Sequence, residues 1–170
     1  TTTVIIYFKD KGAVLSEPSV VAINRKTDEV VAVGEEAYRM LGKAPDRLQV
    51  IKPMSDGVIS DYAATEVMIK FFLHKVFGNS IIKPRVSICV PSQITGVESK
   101  AVVDSAATAG ARKVYLIEEP VAAALGAGLD ITKPNGNMIV DIGGGTTDIA
   151  VLSLNGIVTK QSIKVAGNKM

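Results

Sequence analysis

Asn137-Met-Ile-Val-Asp-Ile-Gly-Gly-Gly-Thr-Thr-Asp148 is the stretch on which the reading of the whole chain turns. An apolar run closes on Asp141, three glycines (Gly143, Gly144, Gly145) follow, and Thr146, Thr147 and Asp148 lead into a second apolar run from Ile149. This spells strand, tight loop, strand. Consecutive glycines permit close backbone approach and φ values closed to other residues, so that successive amides can converge on an anion. A phosphate chain suits such a loop. Asp141 would repel a phosphate directly, but it fits beside a Mg²⁺ ion that carries its own waters. The competing reading is a glycine-rich hairpin with no ligand, and the flanking Asp141, Thr146, Thr147 and Asp148 tip the choice toward phosphate. No Gly-Lys-Ser/Thr follows and no dinucleotide fingerprint is present, which excludes those two phosphate motifs.

The start of the chain echoes this stretch. Thr2-Thr3 and Gly12 match Thr146-Thr147 and Gly156 at a single offset of 144 residues, and apolar runs follow both threonine pairs. Both segments therefore read as one kind of hairpin used twice, a weak internal repeat. On this reading an acidic residue and a glycine should stand just before Thr1, so the chain is expected to begin inside a phosphate loop.

Composition sets outer limits. With 170 residues, 47% hydrophobic and 21% charged, the chain can bury one ordinary core or two small ones. A net charge of +2 gives no basic stripe, and with 5% aromatics and no Trp a stacking platform for nucleic acid is not expected. The single Cys89 excludes a disulfide framework, suits a reducing cytosol and reads as a small buried strand residue. His74 is in no pattern of metal-ligand spacing. No apolar run approaches the roughly 18 residues that span a bilayer, and the opening residues lack the charged flank of a secretory signal.

Along the chain, Ser19 to Ile23 and Val30 to Val33 flank the polar turn Asn24-Arg25-Lys26-Thr27-Asp28-Glu29 and read as a hairpin. A short helix at Glu35 to Leu41 is expected to stop at Gly42, and a turn falls at Ser55-Asp56-Gly57. Asp61 can cap a helix ending at Gly78, with Glu66 near its positive end and with Met68, Phe71, Phe72 and Val76 as its core stripe. Then come a strand at Arg85 to Val90, an alanine-rich helix at Val97 to Ala109 closed by Gly110, a strand at Val114 to Ile117 and a helix at Pro120 to Ala127. Alternating strands and helices imply right-handed crossovers and a largely parallel α/β sheet. The change of composition from Gly12 to Gly57 fits a small subdomain inserted between halves of a larger one.

Glu118 and Glu119 stand where the strand at Val114 to Ile117 gives way to its helix, the end of an open sheet at which ligands gather. Two roles fit equally well there: orienting or deprotonating a water that attacks a terminal phosphate, or merely complementing the helix N-terminus. A phosphate loop on a neighbouring strand favours the catalytic role.

Five blocks together resemble the MreB family of bacterial actin homologues. They are Glu17-Pro18-Ser19-Val20-Val21-Ala22, Val33-Gly34-Glu35-Glu36-Ala37, Ile51-Lys52-Pro53-Met54 with Asp56-Gly57-Val58-Ile59, Ile117-Glu118-Glu119-Pro120-Val121-Ala122-Ala123-Ala124, and Asp141-Ile142-Gly143-Gly144-Gly145-Thr146-Thr147. They occur in the family's order over nearly the whole chain, whereas the last two alone would be shared with heat-shock chaperone ATPases. The resemblance implies an actin-like ATPase fold of the ribonuclease H-like type, a mixed sheet with flanking helices: a first-lobe core of residues 1–12 and 60–136, a small inserted subdomain at 13–59, and the first strands of a truncated second lobe at 137–170. It implies ATP and Mg²⁺ as ligands. Thr1, Thr2 and Thr3 match the end of a first phosphate loop whose preceding Asp-Leu-Gly is not in this chain. Gly143, Gly144 and Gly145 with Thr146 and Thr147 match the second phosphate loop, Asp141 the acidic residue near the metal, and Glu119 the residue that positions attacking water, with Glu118 beside it. The family's ATP-bound monomers form filaments on the inner face of the cell membrane that guide cell-wall synthesis and rod shape.

Gly78-Asn79-Ser80-Ile81-Ile82-Lys83-Pro84-Arg85 places two isoleucines in a polar turn beside two cations, a composition suited to anionic lipid. The family resemblance implies a membrane-inserting loop here, and the plain alternative is that Ile81 and Ile82 start the next strand. Asn168-Lys169 stands where the family more often has Asp-Lys, and the adenosine-binding segments of the second lobe lie outside this sequence. These 170 residues alone are therefore expected to bind ATP weakly or not at all. Two other functions fit the same fold: a chaperone or kinase acting on a client, and a filament scaffold with a degenerate ATP site.

Overall fold

A computed structural model describes residues 2–55, 58–78 and 83–169. The expected turn residues Asp56 and Gly57, the candidate membrane residues Ile81 and Ile82, and Thr1 lie outside the described residues.

The chain opens with the hairpin β1 (Thr3–Phe8) and β2 (Gly12–Pro18), then β3 (Val21–Asn24), β4 (Val30–Val33), the single-turn helix α1 (Glu35–Tyr38), β5 (Leu48–Ile51), β6 (Met54–Ser55) and β7 (Val58–Ile59). The long helix α2 (Tyr62–Phe77) follows, then β8 (Arg85–Val90), α3 (Gly96–Thr108), β9 (Lys113–Glu118) and α4 (Glu119–Gly126). The hairpin sheet β10 (Asn137–Ile142), β11 (Thr147–Ser153) and β12 (Gly156–Ile163) ends in a 3₁₀ turn at Gly167–Lys169.

Local chemistry sets the helix boundaries. The Asp61 carboxylate accepts from the Ala64 amide at 2.9 Å, and Gly78, at φ 58°, closes the same helix by donating to the His74 carbonyl at 2.7 Å. Thr95 and Glu98 form a reciprocal capping box on α3. In α2, Met68 and Phe72 are fully buried and pack with Leu15, Val21 and Val33, each contributing about 1.5–3 kcal/mol by burial. Phe71 does not join that stripe. It is exposed, while Leu73 is buried, because the core-facing arc of α2 runs through Ala64, Thr65, Met68, Phe72 and Leu73. The helix expected at Glu35 to Leu41 is also shorter, stopping at Tyr38 and continuing to Lys43 as tight turns.

The expectation of a largely parallel sheet is corrected. Among the described residues only β8 and β9, joined through α3, pair in parallel; β1 with β2, β3 with β4 and β5, β6 with β7, and β11 with β10 and β12 are antiparallel. For consecutive strands short connections impose this, since the two- to five-residue loops between them can only reverse a strand and a parallel pair needs a crossover; β3 with β5, which are not consecutive, is a long-range pairing.

The internal repeat is visible as geometry. The β1–β2 and β11–β12 hairpins each carry one register shift near the tip, at Ile6/Tyr7 and at Val151/Leu152. The first turns through Lys9, Asp10 and Lys11, the second through Leu154 and Asn155, so their registers differ by one residue. The two tips meet their positive φ with Asp10 and Gly12 in one, and with Leu154 and Asn155 in the other.

Helix α4 covers one face of the β10–β11–β12 sheet, with Ala124 packed among Ile131, Leu152 and Ile139. On that face β10 presents Asn137, Ile139 and Asp141, directly opposite Leu152, Ala150 and Asp148 of β11. The alternate residues Met138, Val140 and Ile142 are exposed on the other face.

Candidate functional site

The glycine loop between β10 and β11 is fixed from one side. The Gly167 amide donates to the Gly143 carbonyl at 3.1 Å and the Asn168 amide to the Gly144 carbonyl at 2.9 Å. Among the described residues all peptides are trans, and in a trans peptide the N–H points opposite to its own carbonyl. The amides of Gly144 and Gly145 are thereby turned away from the Gly167–Lys169 turn.

Glycine is favoured here by space and not by φ. Gly143 and Gly144 avoid the left-handed region, so the expectation of φ values closed to other residues is corrected for both. A Cβ on Gly144 would fall inside contact of the Thr2 side chain, 2.8 Å from its Oγ1 and 3.2 Å from its Cβ, and one on Gly143 would lie 3.2 Å from the Thr146 carbonyl. Thr2, at the head of the first hairpin, thus packs directly on the loop that heads the second.

The other expected residues divide. Thr3 is exposed at the start of β1. Gly145, Thr146 and Thr147 are buried, and the Thr147 hydroxyl donates to the Val165 carbonyl at 2.7 Å, which commits it to holding the segment after β12. Glu118 ends β9 and meets Lys160 of β12 at 2.6 Å in a partly exposed ion pair. Glu119 opens α4 and is half-buried; burial, then the charges of Asp148 and Asp141, hold its carboxyl above the ordinary carboxylate range. α4, β10 and β11 thus bring Asp141 and Asp148 within electrostatic reach of Glu119, and Cys89 of β8 lies within reach of Glu119 and Asp141.

Two residues of this cluster had no assigned role in the sequence. Cys89 is exposed, correcting its reading as a buried strand residue, and its thiol is pushed up by partial desolvation, then by Glu119 and Asp141. The alternation of β8 placed it on the face opposite Ile88 and Val90, a signal that an apolar run conceals. Asp148 is 1% exposed and its Oδ1 has no hydrogen-bond partner, directly across from Asp141 in the β10–β11 register. The spacing of the two aspartates about the glycine loop carried that information, because a hairpin of this length sets them opposite each other.

Facing carboxylates destabilise a strand pair, and a sealed acceptor without a donor costs roughly 1–3 kcal/mol or more. Both observations fit a cation at this end of the sheet. Among the described residues no three ligating side chains converge closely enough to hold a bare metal ion, so the fit is to an ion that keeps its waters. A concavity of about 720 Å³ lies elsewhere, lined by residues that include Ile23, Gln49 and Asp61, and it contains none of these groups.

Twin hairpins meeting at a glycine loop, with carboxylates at the strand ends and a helix laid over one of the sheets, make an actin-like fold. The chain belongs to the MreB/Mbl family, whose model (MreB/Mbl protein) matches residues 1–170. It is 55% identical over 170 residues to the cell shape-determining protein Mbl of Bacillus cereus, an alignment that spans 99% of this chain and 51% of that protein. The crystal structure of MreB5 of Spiroplasma citri bound to ADP superposes with a TM-score of 0.90 at 40% identity, over 99% of this chain and 51% of that one, and the same protein bound to AMPPNP gives 0.85 over the same shares. The MamK double helical filament shares the fold at a TM-score of 0.75 and 23% identity, over 94% of this chain and 50% of that chain. The chain spans about half the length of the relatives it matches.

Proposed function

We propose that this chain supplies one side of an ATP-hydrolysing site in a cell shape-determining, actin-like filament protein, with hydrolysis linked to filament assembly. One observation carries the reading: the Gly143–Gly145 loop is clamped from behind, with Thr2 packed on its middle glycine and with Asp141 and Glu119 at the adjoining strand and helix ends. The amides of Gly144 and Gly145 would bind the terminal phosphates. Glu119 would orient the attacking water, and its raised proton affinity suits a base working nearer neutrality. A Mg²⁺ ion, held through its waters by Asp141, would offset charge on the phosphates when bound. The MreB5 structures bound to ADP and AMPPNP support a nucleotide as the ligand.

The same reading places the filaments on the inner face of the cell membrane, where they organise cell-wall synthesis, with Ile81 and Ile82 as the lipid-contacting pair. The proposed association is one of surface contact, supported by an apolar pair beside Lys83 and Arg85. Among the described residues no helix is long and apolar enough to cross a membrane.

The test is phosphate release by the full chain in which these residues stand. Glu119→Ala should lower kcat by about 10²–10⁴-fold while ATP still binds and still drives pelleting. Turnover that survives the substitution refutes the assignment of Glu119. For the membrane, charged replacements at Ile81 and Ile82 should abolish co-sedimentation with anionic liposomes, and unchanged co-sedimentation removes that loop from the reading.

A further inference from the structure

We propose that Asp148 is a positioning residue of the nucleotide site, sharing with Asp141 the hold on the hydrated divalent cation that accompanies the polyphosphate. The inference rests on the reading of this face as a nucleotide and cation site. Three observations lead to it. Asp148 is sealed from solvent, yet its Oδ1 receives no hydrogen bond, not even from its register partner on β12, Ser162. It stands directly across from Asp141, and the two side chains share the face of the sheet that α4 covers. Its charge also reaches Glu119, at the N-terminus of α4. An unpartnered carboxylate facing a second one is a poor choice for a core position that could equally hold Asn, Ser or Val. It becomes favourable when a positively charged donor arrives between the strand ends, and water on a divalent cation is such a donor, forming charge-assisted hydrogen bonds to two carboxylates at once. Asp148 would then be satisfied only in the loaded state.

The test uses the full chain and separates the cation from the chemistry. ADP affinity is measured in EDTA and in Mg²⁺ for wild type, Asp148→Asn and Asp141→Asn, and each protein is melted without nucleotide. Asp148→Asn should leave affinity in EDTA unchanged and reduce the Mg²⁺ enhancement about tenfold, which is about 1.4 kcal/mol. Its ligand-free melting point should equal or exceed that of wild type, because a sealed lone charge has been removed. If Asp141→Asn abolishes the enhancement while Asp148→Asn keeps it in full, the inference falls and the proposed site stands. A lower melting point together with full enhancement marks Asp148 as purely structural and also overturns it. If wild type itself shows no Mg²⁺ enhancement, the reading of the site as one for nucleotide and cation fails, and this inference fails with it.

Discussion

Replacing Gly34 with alanine should destabilise the protein far more than a surface glycine would, because two independent penalties meet there. Gly34 caps α1 at φ 73° and ψ −135°, a backbone region that belongs to glycine and costs other residues roughly 1–3 kcal/mol. An added Cβ would also press on the Glu17 carboxylate and lie 3.2 Å from Phe72 Cε1 in the core. Glu17 joins three elements: from the end of β2 it accepts the Glu35 amide at 2.8 Å and pairs with Lys75 of α2. The Lys75 side chain is 51% exposed, so the ion pair is worth at most about 1 kcal/mol, whereas the bond from the Glu35 amide to a charged acceptor is worth about 1.5–3 kcal/mol. These terms share atoms and do not add, which puts Gly34→Ala at about 3 kcal/mol. Glu17→Gln, which keeps an acceptor for the amide, should cost about 1 kcal/mol. The Lys75 hydrogen bond, then the Glu35 amide, holds the Glu17 carboxyl below its usual value. A depressed folded-state value gives stability that is present above the unfolded value of about 4.3 and lost as pH falls through the folded one. Urea denaturation of the full chain should therefore show a gap between wild type and Glu17→Gln at pH 7 that narrows below about pH 4. A Gly34→Ala protein within 1 kcal/mol of wild type, or a Glu17→Gln gap that ignores pH, refutes the reasoning.

Gly144→Ala should cost little stability, since Thr2 stands exposed near the first residue of the chain and can move aside, but it should weaken ATP binding by the full chain at least tenfold in a fluorescence titration. Affinity equal to wild type would show that this loop does not meet the phosphates. Cys89, although exposed, should react with iodoacetamide at pH 7 more slowly than a free thiol, because partial desolvation and the neighbouring carboxylates disfavour its thiolate. Glu119→Gln should speed that reaction; a rate unmoved by the substitution would place Glu119 too far from β8 to act on it.

Much of this architecture is written in short-range signals. Asp61 and Pro120 announce their helices because a cap or a fixed φ acts within one turn of its own residue. The hairpins follow equally locally, and a threonine pair stands at the head of each, 144 residues apart. Strand direction is less legible, because the alternation of strand and helix points to parallel pairing while the short loops reverse the chain. The third strand of the small sheet, Leu48–Ile51, was hidden between Pro45 and Pro53, since its pairing with Val21–Asn24 is a long-range fact.

The site was legible in the same uneven way, and the unevenness has a physical source. Gly143 to Gly145 and Glu119 stand out because loop residues and strand ends break the apolar pattern around them. Asp148 does not, since in the sequence it is one more polar residue before a strand. Its meaning comes from register: with Asp141 and Asp148 opposite each other, any one-residue slip of β10 on β11 would send one carboxylate to the exposed face beside Ile142. The buried contacts of Ala124, Leu152 and Ile139 forbid that slip, because it would also turn Ile139 out of the core. Apolar packing under α4 therefore holds the two negative charges together against their repulsion. The part of the sheet that looks least functional in the sequence thus sets the electrostatics of the part that looks most so.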